Sequence, residues 1–572
     1  LDYVPTYQKD KNGNWIAGEW PVFEKINGQL VFEGMSMWIH AQSAVSMGAT
    51  VTDVTAEIPS YTAPGLPLII KGQSQTSLQN MAQWVNHSPV SAMIGDPFVG
   101  TKATGDASLE LFLNIPITDL EKTEVSGTVH LNGNMIAMKN VPEMTQAKGS
   151  VTFTEKGLWA SELTAQIYGC PTTGEISTDE KGKIRITALA DATPEAAGKI
   201  IDSPAIASLL THFEGVTPVK TIVEIDRGVD IHVTSDLVGI KGNAPAPFNK
   251  AQNNAWPLQF DFENCAQNEH CASKMKLALA DVLGMELHYA STKQGLRTQK
   301  GVLSVGKRLP LSPTADGLAL YIQTPTFKWE DWESILTQSN EALMVDPKRE
   351  MKALDLNLAS IQIGQLGYKG LNFDAVKVDA KAFPSGAWSG SIASTLAKAQ
   401  FNFTPRTSHS HPLVTANFDY LHIPRPEIVD EAMKAAPKET QSLPSVALTI
   451  KDLRFEDYEL GELKLWAENE GKGPSTLWNL KEFSLSNSDA TLSASGSWNA
   501  GQRKNSQTSL EATLDVTDLG ELLERFKLAH VINDGSGQLH TNLTWNGAPV
   551  DFNTETLNGT ISTAQSFNSP NS

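Results

Sequence analysis

The chain has 572 residues, 40% of them hydrophobic and 19% charged, and its formal net charge is -19. That excess of carboxylates excludes a nucleic-acid backbone as the main partner, because such binding needs clustered Lys and Arg to displace counterions. It also argues against a body lying flat on an anionic membrane.

At several times the usual domain length, the chain is expected to form either several domains or one elongated, repetitive body. No run of about 18 apolar residues occurs, so no segment reads as a membrane-spanning helix, and none reads as a signal peptide. Both ends, Leu1-Asp2-Tyr3 and the Ser/Asn-rich tail closing on Ser572, read as cuts inside a longer protein that carries its targeting segment or anchor elsewhere.

Taken in chain order, the dominant signal is period-two alternation, the mark of strands with one dry and one wet face. It begins in Gly28-Gln29-Leu30-Val31-Phe32, followed by Gly34. A helical pattern then runs from Ser77 to Val85, with Leu78, Met81, Trp84 and Val85 on one face. Leu109, Leu111, Leu113, Ile115 and Ile117 share one side of the next clear strand. Gly149-Ser150-Val151-Thr152-Phe153, followed by Gly157, repeats the opening motif, and Gly127-Thr128-Val129 has the same start. Ile184/Ile186, Val223/Ile225 and Ile231/Val233 continue the alternation on either side of a helical stretch, Thr193 to Phe213, that Pro204 interrupts.

After a short helical pattern from Trp332 to Thr337 comes the clearest alternating stretch. It contains Leu354, Leu356, Leu358, then Ile361 and Ile363, then Leu371 and Phe373, then Val376 and Val378. Polar Asp355, Asn357, Gln362, Asn372 and Lys377 lie between them. A fourth helical pattern covers Pro426 to Ala436. Leu448/Ile450, Leu463/Leu465, Phe483/Leu485, Leu510/Leu514 and Leu543/Trp545 extend the strand pattern to the end, broken by a last helix over Leu519 to Leu528.

The expected fold is therefore mostly β: an elongated, twisted antiparallel sheet, curled into a groove, with a few short capping helices. Provisional boundaries divide it into segments 1–215, 216–405 and 406–572, which one continuous sheet would unite. About 35 strands spaced at ~4.8 Å would extend on the order of 170 Å, too long to stay flat as strand twist accumulates. With too few helices to cover the apolar face, the sheet must curl on itself or hold something apolar. Leu30, Phe32, Val151, Phe153, Leu354, Leu356, Leu358, Ile361, Ile363, Leu371, Phe373, Val376 and Val378 are the expected lining of that groove. Taken strand by strand, the same alternation is also what an ordinary core produces.

Of three cysteines, Cys265 and Cys271 read as a disulfide closing a small loop in an oxidising compartment. Two reduced thiols, or a metal site including His270, are the alternatives. Cys170 is left over and expected to be buried. No phosphate loop, nucleophile elbow or zinc-protease helix is present, so neither an enzyme nor a cofactor is expected. His409 and His411 read as an exposed loop pair, and Glu330, Asp331 and Glu333 as carboxylates at a helix start.

Several segments resemble the AsmA-like envelope proteins of Gram-negative bacteria, in particular the YhdP family. They run in order from Leu1-Asp2-Tyr3-Val4-Pro5 through Trp84 to Val90, Thr104 to Leu111 and Gly149 to Leu158. Asp236 to Ile240 and Ala244 to Ala251 follow, and then Gly496-Ser497-Trp498-Asn499, Leu514 to Phe526 and Leu543 to Pro549. Cys170, where a glycine is expected, and the Cys265–Cys271 loop depart from the pattern. The resemblance implies a repeating β-groove, anchored in the inner membrane, that crosses the periplasm and moves phospholipid towards the outer membrane. Its implied partners are phospholipids and the two membranes, with no nucleic acid. The alternative reading is an envelope-assembly scaffold binding proteins along its β edges.

Overall fold

The computed structural model describes residues 7–9, 15–17 and 20–566, except 89–90, 92–98, 120–121, 139–140, 202, 227, 265–271, 293–294, 307–311, 314, 334, 336–354, 369, 407–410, 425–443, 471–476, 500–505, 529–534 and 550–553. Thirty strands from Glu24–Glu33 to Asn558–Ser566 form one hydrogen-bonded sheet. At about 4.8 Å per strand it extends on the order of 135 Å, with Lys102–Thr104 and Asp106–Pro116 sharing one position opposite Glu124–Ala137. The sheet does not close into a barrel. Among the described residues, Glu24–Glu33 pairs only with Ser36–Ser46, and Asn558–Ser566 only with Ser536–Asn546. Pairing runs on past residues 215 and 405, through the joins of Ile184–Ala192 with Thr217–Ile225 and of Ala397–Thr404 with Leu413–Ile423.

The sheet is antiparallel, as expected, at all but three of the joins among the described residues. Gly317–Lys328 lies parallel to both Gly295–Val305 and Leu356–Tyr368, and Leu413–Ile423 lies parallel to Ser445–Phe455. A parallel neighbour requires the chain to return to the rim it started from. The returns fall between Val305 and Gly317, between Lys328 and Leu356, and between Ile423 and Ser445. Alternation alone does not reveal them, because both pairings present the same period-two pattern.

Helices are short and sit at strand ends. Ser77 caps Leu78–Asn86 by accepting from the Asn80 N–H, and Thr193 and Asp518 cap Pro194–Ile200 and Leu519–Arg525 in the same way. The stretch read as one interrupted helix from Thr193 to Phe213 is two, since Pro204 opens a second, Pro204–Leu210. Residues 329–333 are helical, whereas Pro426 to Ala436 lies outside the described residues.

Bulges punctuate the strands, with Lys25, Asp53 and Gln146 at positive φ inside them, and each increases the local twist. Asn134, fully buried, stabilises one such irregularity. Its Nδ2 donates to the Thr104 and Asp106 carbonyls, and its Oδ1 accepts from the Asn132 N–H. Asn134→Ala leaves those groups unpaired, so it is expected to cost about 2–3 kcal/mol. The check is amide exchange, with protection lost in Asp106–Pro116 and Glu124–Ala137 before the rest of the sheet.

Candidate functional site

Residues directly opposite each other in a ladder point to the same face, so the register identifies what each face carries. One row runs Leu258, Leu279, Leu283, Val305, Ile322, Ile361, Val378, Ile392, Ala399, Phe418, Ile450, Leu463, Leu485, Leu492, Leu514, Leu539. It crosses sixteen consecutive strands without a polar residue. Two residues away on the same face, a second row links Phe260, Leu277, Met285, Leu303 and Leu320 to Ala359. A third links Ala160, Ile176, Ile186, Val223, Ile231, Phe262, Met275 and Leu287.

This apolar face is open. Along the sixteen-strand row only Ala399 and Ile450 are buried, at 3% and 2% exposure, and the other side chains are half-buried. A closed core would bury them all. In two places an aromatic ring reaches over a glycine of the facing strand. A Cβ at Gly127 would come within 2.6 Å of Phe153 Cζ, and one at Gly390 within 2.8 Å of Phe401 Cζ. Glycine at these positions lets a ring form the floor without adding height.

The opposite face is wet. Asp379, Ser391, Gln400, Asn417, Thr449, Lys464, Ser484, Ser493, Thr513 and His540 form its matching row. Ion pairs tie neighbouring strands there: Lys183 and Arg185 reach Glu224 at 2.5 and 3.2 Å, and Lys398 and Lys451 reach Asp419 at 3.2 and 3.0 Å. The hydrogen bond from Lys183 holds the Glu224 carboxyl below its ordinary range, and those from Lys451 and Lys398 do the same for Asp419. Every carboxyl that clearly shifts among the described residues shifts downwards. Among those residues no group of three or more His, Cys, Asp or Glu is placed to hold a metal.

One cap turns onto the apolar face. Ala244, Phe248, Trp332 and Ile335 form a buried cluster against Leu283, Val305 and Phe327. The Trp332 indole stacks on Phe327 at 6.2 Å, meets the edge of Phe248 at 5.9 Å, and donates to the Ala246 carbonyl at 3.2 Å. Beneath it, a three-stranded sheet of Phe213–Gly215, Ile240–Asn243 and Asn249–Lys250 is fastened by Lys250. That ammonium is buried and donates to the carbonyls of Ile240, Ala251 and Asn254. Burial lowers its pKa.

The residues expected to line a groove fall as follows. Leu30 and Phe32 lie on the first edge strand, 54% and 65% exposed, opposite Ile39 and Met37. Val151 faces Val129, and Phe153 faces Gly127 and Leu158. Ile361 and Ile363 face Val378 and Val376, while Phe373 and Leu371 face Leu366 and Tyr368. Leu356 sits opposite Leu318 on the apolar face, but an extra residue at Asn357 shifts the frame. Leu358 therefore stands opposite Ala319 and Lys381, on the other face. Leu354, Cys265 and Cys271 lie outside the described residues, and Cys170 is free and buried. The strands from Leu258 to Val305 were missed as lining, although Phe260/Phe262, Met275/Leu277/Leu279 and Met285/Leu287 alternate visibly.

No helix among the described residues is long and apolar enough to cross a membrane. A curated relative, the intermembrane phospholipid transporter YhdP of Escherichia coli (strain K12), is 20% identical over 574 residues, covering 95% of this chain and 42% of the relative. The chain thus spans less than half the length of that relative. The family model described as YhdP protein matches residues 6–565, and on that match the chain belongs to the YhdP family.

Proposed function

We infer that this chain shields phospholipid acyl chains along its apolar face, as part of a path between the inner and outer membranes across the periplasm, attached to the inner membrane in the longer protein. The observation carrying this reading is the unbroken apolar row over sixteen strands, roughly 70 Å of sheet at 4.8 Å per strand, left only partly covered by the protein's own side chains. Exposing about 30 chain methylenes to water costs on the order of 24 kcal/mol. A trough that is alike at every strand removes most of that barrier without a tight site, so lipids slide. The name of the Escherichia coli relative agrees with this reading. The chain supplies a path, and the energy that drives net flux comes from elsewhere.

The test is uptake from vesicles. Detergent-free protein is incubated with vesicles carrying a fluorescent phospholipid and separated by size exclusion. The lipid is expected to co-migrate with the protein and to be displaced by unlabelled phospholipid. Protein that emerges without lipid contradicts the reading. A scaffold role is the second reading, and it rests on the unpaired edges at Glu24–Glu33 and Asn558–Ser566. Lipid-free protein that captures a partner strand there favours it.

A further inference from the structure

In an up-and-down sheet alternate connections fall on alternate rims, and here the two rims differ. One rim carries every described α-helix and the three-stranded sheet. They follow the strands ending at Ser77, Ala192, Ser235, Lys328 and Val516. The other rim carries no α-helix among the described residues, and many of its connections are short and polar. Two examples are Glu155-Lys156 between Thr154 and Gly157, and Asp179 to Lys183 between Thr178 and Ile184; the turn over residues 383–387, which exposes Phe383, is an exception.

Among the described residues the helix rim also exposes more large apolar side chains than the turn rim, among them Ile200, Ile206, Val216, Val238, Phe526 and Leu528, at 37–60% exposure. A hydrated rim has no use for them. Where the packing shows which way this rim leans, it leans onto the apolar face: Trp332, Ile335 and Phe248 rest on Leu283, Val305 and Phe327. Covering one side of the trough displaces its mouth towards the other.

From this the geometry points to a fixed orientation of the lipid, which rests on the function inferred above. Acyl chains lie against the sheet and under the helix rim, and the phosphate headgroup leaves at the turn rim. The occupant of the exposed apolar side chains on this rim is thus the lipid's own chains.

The test places the photoreactive residue p-benzoylphenylalanine at Ile206 or Leu528 on the helix rim, and at Lys156 or Ser385 on the turn rim. Each protein is loaded from dioleoyl phosphatidylethanolamine vesicles, irradiated, treated with phospholipase C and weighed. An adduct through a chain keeps the diacylglycerol mass, and one through the headgroup keeps the phosphoethanolamine mass. Diacylglycerol at Ile206 and Leu528, with phosphoethanolamine at Lys156 and Ser385, is the expected result. The reverse pattern, or the same mixture at both rims, overturns the orientation while lipid binding stands. Protein that takes up no lipid before irradiation overturns the lipid reading itself, and the orientation with it.

Discussion

Leu356→Glu is expected to abolish phospholipid uptake, and Leu358→Glu, two residues along the same strand, to leave it within about twofold of the parent. Simple alternation would put both side chains on one face. The extra residue at Asn357, whose amide bonds the Asp316 carbonyl, separates them: Leu356 faces Leu318 on the apolar side, and Leu358 faces Ala319 and Lys381 on the wet side. A carboxylate at Leu356 stays hydrated and cannot be covered by a passing chain. A local barrier of about 3–4 kcal/mol follows from leaving a polar group without partners in an apolar setting, which is a slowing of several hundredfold. At Leu358 the new carboxylate meets the Lys381 ammonium. Because Leu356 is half-buried, neither change opens a cavity, and circular dichroism should report the same β content for both. Equal loss of uptake in the two variants would show that the frame does not shift at Asn357.

Arg525→Met is expected to release the helix Leu519–Arg525 from the sheet. The Arg525 guanidinium lies 2.5 Å from Asp489, a carboxylate with 6% of its side chain exposed, and also reaches Ser488 Oγ at 3.1 Å. Removing the cation leaves a buried charge uncompensated, a loss of about 3 kcal/mol, or roughly 100-fold in amide protection of the helix. Adding Asp489→Asn should restore most of it. Burial alone would raise the Asp489 pKa, but Ser488 and Arg525 outweigh it and the net shift is downwards. The pair therefore stabilises the folded helix above the ordinary carboxylate range, and that contribution is lost as pH falls through the lowered value. Hydrogen exchange at stepped pH, corrected for the intrinsic exchange rate, should show the helix opening in acid before its neighbouring strands, and a smaller acid sensitivity in the double variant.

Much of the face was legible because period-two alternation survives any pairing. Ile361 and Ile363, or Val376 and Val378, declare a common side without knowledge of their partners, and the register places all four together. Legibility failed where an irregularity breaks the period. The frame shift at Asn357 reverses Leu358 relative to Leu356. The parallel joins were invisible because a returning connection leaves no mark on the strands it joins. Pro204 did announce a break, and the structure places a helix start there. Lys250 carries no sequence signal of burial, since its three acceptors are backbone carbonyls assembled by a small sheet. The difference between the rims needed the connectivity, because it emerges only when alternate turns are assigned to alternate sides.

The central claim, that the open apolar face holds lipid, is met most directly by native mass spectrometry of protein purified without detergent, with extraction and identification of whatever is bound. Several phospholipids per chain is the expected result, as a row alike over sixteen strands has no single preferred seat. A bare chain mass, from protein whose β content is intact, would contradict it.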